Sequence, residues 1–221
     1  IGSNDPSAKH QVRCHTMSYL LEAGLDTPAS AFAVPANAAL DSVSALLFNL
    51  QDPDPLNALP VENRLTIVNT GKRVLSLDVR IHNSAGKRDT QSSFKVTNLQ
   101  PFEQREIDLA LLPSAIQQGL IRLVPENGYG PYKAFITRTG QNRFGKRAFA
   151  FHLQALPGEC DTGPIPLSTL HSGTVWAEVG SLGNTDIPGE IKVRDGQGVV
   201  LHRENTTLSR YAQRHLLMNQ Y

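Results

Sequence analysis

Val74-Leu75-Ser76-Leu77-Asp78-Val79-Arg80-Ile81-His82 alternates apolar and polar residues with a period of two, then runs into Asn83-Ser84-Ala85-Gly86. Side chains on a strand point to opposite faces in turn, so this stretch reads as a strand with one buried and one wetted face, closed by a polar glycine turn. Its surroundings read the same way. Arg64-Leu65-Thr66-Ile67-Val68 is short and β-branched and meets Asn69-Thr70-Gly71. Ser93-Phe94-Lys95-Val96-Thr97, Leu120-Ile121-Arg122-Leu123-Val124, Tyr132-Lys133-Ala134-Phe135-Ile136-Thr137 and Ala148-Phe149-Ala150-Phe151-His152-Leu153 follow, with turn signals between them. Short strands at this spacing predict an all-β chain folded as antiparallel sandwiches. Helix is expected only as a short turn between Asp108 and Gln118, and the Ala-rich stretch Pro28 to Leu47, interrupted by Pro35, reads as mixed.

The deciding strand has a second copy. Leu77 to Gly86 resembles Gly189 to Gly198, Phe102 to Leu109 resembles Tyr211 to Met218, and Arg64 to Asn69 aligns with Thr174 to Val179. Near the start, Tyr19 to Gly24 parallels Phe135 to Gly140, and Ala31 to Val34 matches Ala148 to Phe151. An imperfect internal repeat about one sandwich long predicts two domains. Residues 36–156 form a complete sandwich. Residues 1–35 and 157–221 are complementary parts of a second, closed within one chain or between chains, because a half-sandwich left open would expose apolar faces and strand edges.

Ile67 to Gly71, Val79 to Gly86 and Leu99-Gln100-Pro101-Phe102-Glu103-Gln104 together resemble a pattern of bacterial secreted and surface proteins that carry tandem immunoglobulin-like β-sandwich modules. In those modules a strand leads to Asn-x-Gly, another to a polar glycine turn, and a proline-bearing turn precedes an edge strand. The resemblance implies an immunoglobulin-like fold, extracellular or cell-surface location in a bacterium, and a role in display, adhesion or assembly. It carries no catalytic residue across.

Twenty-one Lys and Arg stand against twenty Asp and Glu, so no basic excess points to nucleic acid. No apolar run is long enough to cross a bilayer, and Ile1 to Pro6 shows no signal-peptide pattern. Cys14 and Cys160 either close one long-range disulfide in an oxidising compartment or stand as two separate thiols.

Chemistry-bearing patterns are weak throughout. No nucleophile elbow exists, and His171-Ser172 are strand neighbours that face opposite ways. Seven scattered histidines form no metal pair, and no cofactor is expected. Asp52 and Asp54 offer oxygen ligands to calcium but lack the order of a dedicated loop and read as a proline-stiffened linker. Glu103, Glu106 and Asp108 lie on a charged strand rather than across a cleft. Trp176, in an apolar strand, reads as core, whereas Tyr129 and Tyr132 flank Gly130-Pro131 and are the candidate ligand-binding pair. The expected function is a non-catalytic structural or adhesive module whose partners are other protein chains or surface glycans. A carbohydrate-binding module and a strand-exchanging, homo-oligomeric filament subunit are the alternatives.

Overall fold

The computed structural model describes residues 15–21, 28–35, 40–50, 61–113, 116–128, 130–141, 147–157 and 176–218. Among them are fifteen strands and no α-helix. In chain order the first seven are β1 (His15–Leu21), β2 (Pro28–Pro35), β3 (Ser44–Asn49), β4 (Val61–Asn69), β5 (Leu75–Asn83), β6 (Arg88–Leu99) and β7 (Gln104–Asp108). A 3-10 turn at Leu109–Leu111 follows. Asp108 caps it, accepting the Ala110 N–H at 3.0 Å, and Pro113 prevents the turn from growing into a longer helix. Then come β8 (Gln118–Pro125), β9 (Tyr132–Gln141), β10 (Arg147–Gln154), β11 (Leu156–Pro157), β12 (Trp176–Gly180), β13 (Ile187–Arg194), β14 (Val200–Leu208) and β15 (Gln213–Leu217). The mixed stretch from Pro28 to Leu47 holds β2 and the start of β3, with Pro35 ending β2.

Two antiparallel sheets face each other. One has the order β10-β9-β4-β7 and the other β11-β3-β8-β5-β6. Alternation builds the space between them. Leu77, Val79 and Ile81 of β5, Ile121 and Leu123 of β8, and Leu46 and Phe48 of β3 point inward from the larger sheet. Leu65 and Ile67 of β4 and Tyr132, Ala134 and Ile136 of β9 meet them from the smaller one. Each fully buried Leu, Ile or Phe contributes about 1.5–3 kcal/mol of transfer free energy. This β-sandwich arrangement spans β3 to β11.

The remaining strands form three separate two-stranded sheets, β1-β2, β12-β15 and β13-β14. β2 lies beside β10, and no ladder joins β1 or β2 to β12–β15 among the described residues.

The strand pairing of β12 to β15 reproduces that of β4 to β7. Arg64 to Val68 of β4 face Asp108 to Gln104 of β7; Trp176 to Gly180 of β12 face Leu217 to Gln213 of β15. One constant offset carries β4 onto β12, and a slightly smaller one carries β7 onto β15. The same two offsets carry Leu75↔Leu99 onto Ile187↔Leu208, and the larger one alone carries His82↔Arg88 onto Arg194↔Val200. The offset shrinks within one strand, because β6 has 12 residues and β14 has 9. β5 and β6 break register twice, at Leu75/Leu77 and Val79/Ile81; β13 and β14 break it once, at Val193/Arg194.

Turns repeat as well. Gly86 N–H donates to Asn83 O at 2.8 Å and Asn83 Oδ1 accepts from Ala85 and Lys87; Gly198 N–H donates to Asp195 O at 3.0 Å and Asp195 Oδ1 accepts from Gln197 and Val199. Asn69 N–H to Glu103 O at 3.0 Å has its counterpart in Ser181 N–H to Ala212 O at 2.8 Å. Phe102 and Tyr211, which stand just before β7 and β15 in equivalent places, both have positive φ, 64° and 59°.

Register corrects two of the sequence alignments. Arg64 corresponds to Trp176 rather than Thr174, a shift of two that leaves every side chain on its face and is therefore invisible to an alternating pattern. Tyr19 pairs with Ala31, but Phe135 pairs with Gln154, not Ala148, so the N-terminal likeness does not extend to strand register.

Candidate functional site

Among the described residues after β11, the β13–β14 ribbon is the part with the least cover. Ile187, Gly189, Ile191 and Val193 stand where β5 carries Leu75, Leu77, Val79 and Ile81. Those four β5 side chains are buried, whereas Ile187 is 43 % exposed and Gly189 is open to solvent. Next to the turn, Val199, Val200 and Leu201 are exposed apolar residues in sequence. Their counterparts after Gly86 are Lys87, Arg88 and Asp89.

β5 is hydrogen-bonded on both sides: β6 on one edge and β8 on the other, from Leu77↔Pro125 to Asn83↔Gly119. β13 has only β14 beside it among the described residues. Its second edge carries no ladder among the described residues.

Ion pairs line the ribbon. Glu190 takes Lys192 along its own strand and Arg203 across the ribbon at 2.7 Å. Glu204 takes Arg214 at 2.7 Å. The Lys192 ammonium holds the Glu190 carboxyl below its ordinary range, and the Arg214 guanidinium does the same for Glu204.

The root of the ribbon is fixed to the sandwich. Arg210 N–H donates to Asp186 Oδ1 at 2.9 Å, tying the two ends of the hairpin together. Gln213 N–H donates to Ser84 O at 2.9 Å. Gly86, at φ 81°, lets the chain approach so closely that a Cβ there would lie 2.0 Å from Arg210 O. Tyr211 then lays its ring 4.7 Å from the His82 ring, with the Arg122 guanidinium carbon 4.3 Å from the Tyr211 centroid. A cation over an aromatic face contributes about 0.5–2 kcal/mol. Burial first, then the guanidinium charges of Arg122, Arg88 and Arg80, hold His82 below its ordinary value near 6.5, although its Gly86 O contact at 3.1 Å works the other way. A second anchor centres on Glu178 of β12, which accepts from Asn49 Nδ2 at 3.2 Å, Arg138 at 3.4 Å and Gln213 Nε2 at 3.4 Å, with His215 at 3.8 Å. Gly180 sits against Leu47.

An open cleft of about 220 Å³ lies at this junction, with Arg122, Asn184 and Tyr211 in its wall. It is smaller than the roughly 300–1,000 Å³ usual for small-molecule sites.

Tyr132 is not a surface aromatic. Its ring is wholly buried in the sandwich core, and its hydroxyl contacts Ser44 Oγ at 2.7 Å and donates to Ser42 O at 2.8 Å. Burial pushes its pKa up to about 12. The period-two pattern of β9 turns Tyr132 inward with Ala134 and Ile136, so it offers no face to a sugar. Its expected companion Tyr129 lies outside the described residues, as do Cys14, Cys160, Asp52 and Asp54. The acidic strand is engaged locally: Glu103 with Arg105 at 2.8 Å, Glu106 with Arg64 at 3.9 Å, and Asp108 at its cap. Among the described residues no three His, Cys, Asp or Glu are grouped to hold a metal ion.

Sequence reasoning passes over His82, Arg122, Glu178 and Arg210. The one available signal is the match of Phe102 to Tyr211, which marks two equivalent turns without showing that only one is covered. No protein-family model matches the chain, and neither does any curated protein or solved structure.

Proposed function

We propose that the chain is a non-catalytic structural or adhesive module of a bacterial surface or secreted assembly, and that it works by offering the β13–β14 ribbon to another protein chain. The observation that carries this is the edge of β13. The ribbon keeps the pairing of β5 with β6, yet the place filled by β8 beside β5 is empty beside β13 among the described residues. The surface and secreted location, and the immunoglobulin-like kind of the sandwich, rest on the resemblance of Ile67 to Gln104 to tandem surface modules. The repeated registers support reading 157–221 as part of a second unit of the same kind as 36–156.

An added strand would gain main-chain hydrogen bonds from the edge and side-chain contacts from Ile191 and Val193. The register of β5 with β8 sets its alignment: Ile191 stands where Val79 faces Leu123, and Val193 where Ile81 faces Ile121. The test is a titration of the chain with a fluorescent peptide of the β8 sequence, Gln118 to Pro125. Saturable binding is expected, weakened at least tenfold by Ile191→Pro and absent for a scrambled peptide. Equal binding of native and scrambled peptides, or none of either, refutes strand addition at this edge.

A further inference from the structure

The junction between the sandwich and the ribbon has two halves, each a turn, and each turn has a counterpart that meets no partner among the described residues, the one in the ribbon with no described counterpart of Arg122 beside it. The first half is the Asn83–Gly86 turn, which receives Arg210 and Tyr211. Its counterpart in the ribbon is the Asp195–Gly198 turn, with the same hydrogen bonds and the same positive φ at glycine, 81° and 86°. Where a Cβ on Gly86 would strike Arg210 O, a Cβ on Gly198 would meet nothing within 4 Å. Even the side chain before the turn keeps its role. His82 Nδ1 contacts Gly86 O at 3.1 Å, and Arg194, in the equivalent place, donates to Gly198 O at 2.7 Å.

The second half is the turn that carries Tyr211. Its counterpart before β7 carries Phe102, in the same left-handed backbone conformation and 72 % exposed. Gln213, whose N–H grips Ser84 O, corresponds to Gln104. The two unused halves also suit each other chemically. Tyr211, with a polar tip, meets a turn flanked by Lys87, Arg88 and Asp89; Phe102 has no polar tip, and the unoccupied turn is flanked by Val199, Val200 and Leu201, at 59 %, 38 % and 54 % exposure.

We propose that a second copy of this chain seats its Phe102 turn on the Asp195–Gly198 turn of the first, repeating between molecules the contact made within each. This rests on reading the chain as an assembly module and extends that reading by naming the partner and the surfaces. Phe102 packs on Val199 and Leu201 with its face toward the Arg194 guanidinium, in the place His82 takes beside Tyr211. The two surfaces differ, so the contact is heterologous. A pair of copies joined by one such contact leaves one half open on each, so association continues into chains, or into a ring where the rotation closes. A small contact of this kind associates weakly, at roughly 10 µM to 1 mM.

The test is sedimentation velocity on the full chain over a concentration series, with Phe102→Asp, Leu201→Asp and their mixture. Both positions are exposed, so the substitutions leave the core intact, and circular dichroism checks this; Val199→Lys replaces Leu201→Asp should that variant misfold. The expected result is wild-type chains lengthening with concentration, each variant alone monomeric, and the equimolar mixture forming a 1:1 dimer that does not grow. That last outcome arises because one sound Phe102 turn and one sound Gly198 turn remain between the two variants. A wild-type monomer across the series overturns the proposal. So does growth that neither variant alters, or a mixture that stays monomeric. Any of these leaves strand addition at β13, read by the peptide titration, standing or falling separately.

Discussion

Gly86→Ala and Gly198→Ala form a matched pair, because the two turns share backbone geometry and differ in what lies against them. Both substitutions place a Cβ on a residue of positive φ, 81° and 86°, which costs about 1–2 kcal/mol. At Gly198 nothing else happens, since no atom lies within 4 Å of the new carbon. At Gly86 the carbon would sit 2.0 Å from Arg210 O and 3.1 Å from Ala212 N. Carbon and oxygen normally approach no closer than about 3.3 Å, so the Arg210 backbone must withdraw by more than about 1 Å. That withdrawal stretches the 2.9 Å bond from Gln213 to Ser84 past its limit, a net loss of about 1 kcal/mol. It also lifts Tyr211 from Arg122 and His82, about 1 kcal/mol more. Gly86→Ala is therefore expected to destabilise the C-terminal part by about 3–4 kcal/mol and Gly198→Ala by about 1–2 kcal/mol. Urea unfolding followed at Trp176, the single tryptophan, reads the difference. Equal losses within about 0.5 kcal/mol, the usual additivity error, would show that the Gly86 contact contributes nothing to holding the two parts together.

Two further outcomes follow from the junction. His82, His152 and His215 are all held below the ordinary histidine value, burial being the largest cause in each. The unfolded chain therefore binds more protons below about pH 6.5, so the stability contributed by neutral histidine is full above that value and is lost as pH falls toward the depressed folded values. For His82 the opposing groups are Arg80, Arg88 and Arg122, and His82→Gln is expected to flatten the fall in urea midpoint between about pH 7.5 and 5; an unchanged slope would remove His82 from the account. Glu178→Gln removes the carboxylate from a guanidinium only 7 % exposed and is expected to destabilise by about 1–3 kcal/mol, part-screened because Glu178 is itself 19 % exposed. In a double-mutant cycle with Arg138→Met the two losses should sum to more than the double variant shows; strict additivity would mean the pair is not coupled.

How much of this is legible in the chain depends on which physical signal each feature leaves. The inward faces of β4, β5, β8 and β9 follow directly from period-two alternation, and so does the all-β architecture. Tyr132 misleads because its neighbours Gly130 and Pro131 signal a loop, while the alternation with Ala134 and Ile136 that buries it begins at Tyr132 itself. Arg64 aligns by pattern two positions away from its true counterpart, because a shift of two preserves every face. Tyr211 against Arg122, and Glu178 against Arg138, are contacts between residues far apart in the chain. They depend on how β12–β15 pack against the sandwich, and such packing leaves no periodicity in a sequence. The repeated turns are visible as strings ending in Gly86 and Gly198; that one is occupied and the other open is a fact of three dimensions only.

β14, with 9 residues against the 12 of β6, changes the kind of edge the protein shows. Register breaks kink a strand and deepen its twist, and twisted edges resist pairing with foreign chains. β5 and β6 carry two breaks along their length, while β13 and β14 carry one, pushed up against the turn. From Ile187 to Val193 the pairing keeps one register, guarded by Pro188 and by the ion pairs of Glu190 with Lys192 and Arg203. Shielding by mobile ions thins that guard without touching the backbone groups behind it. On the proposed reading, rising ionic strength should therefore strengthen binding of the β8 peptide at this edge.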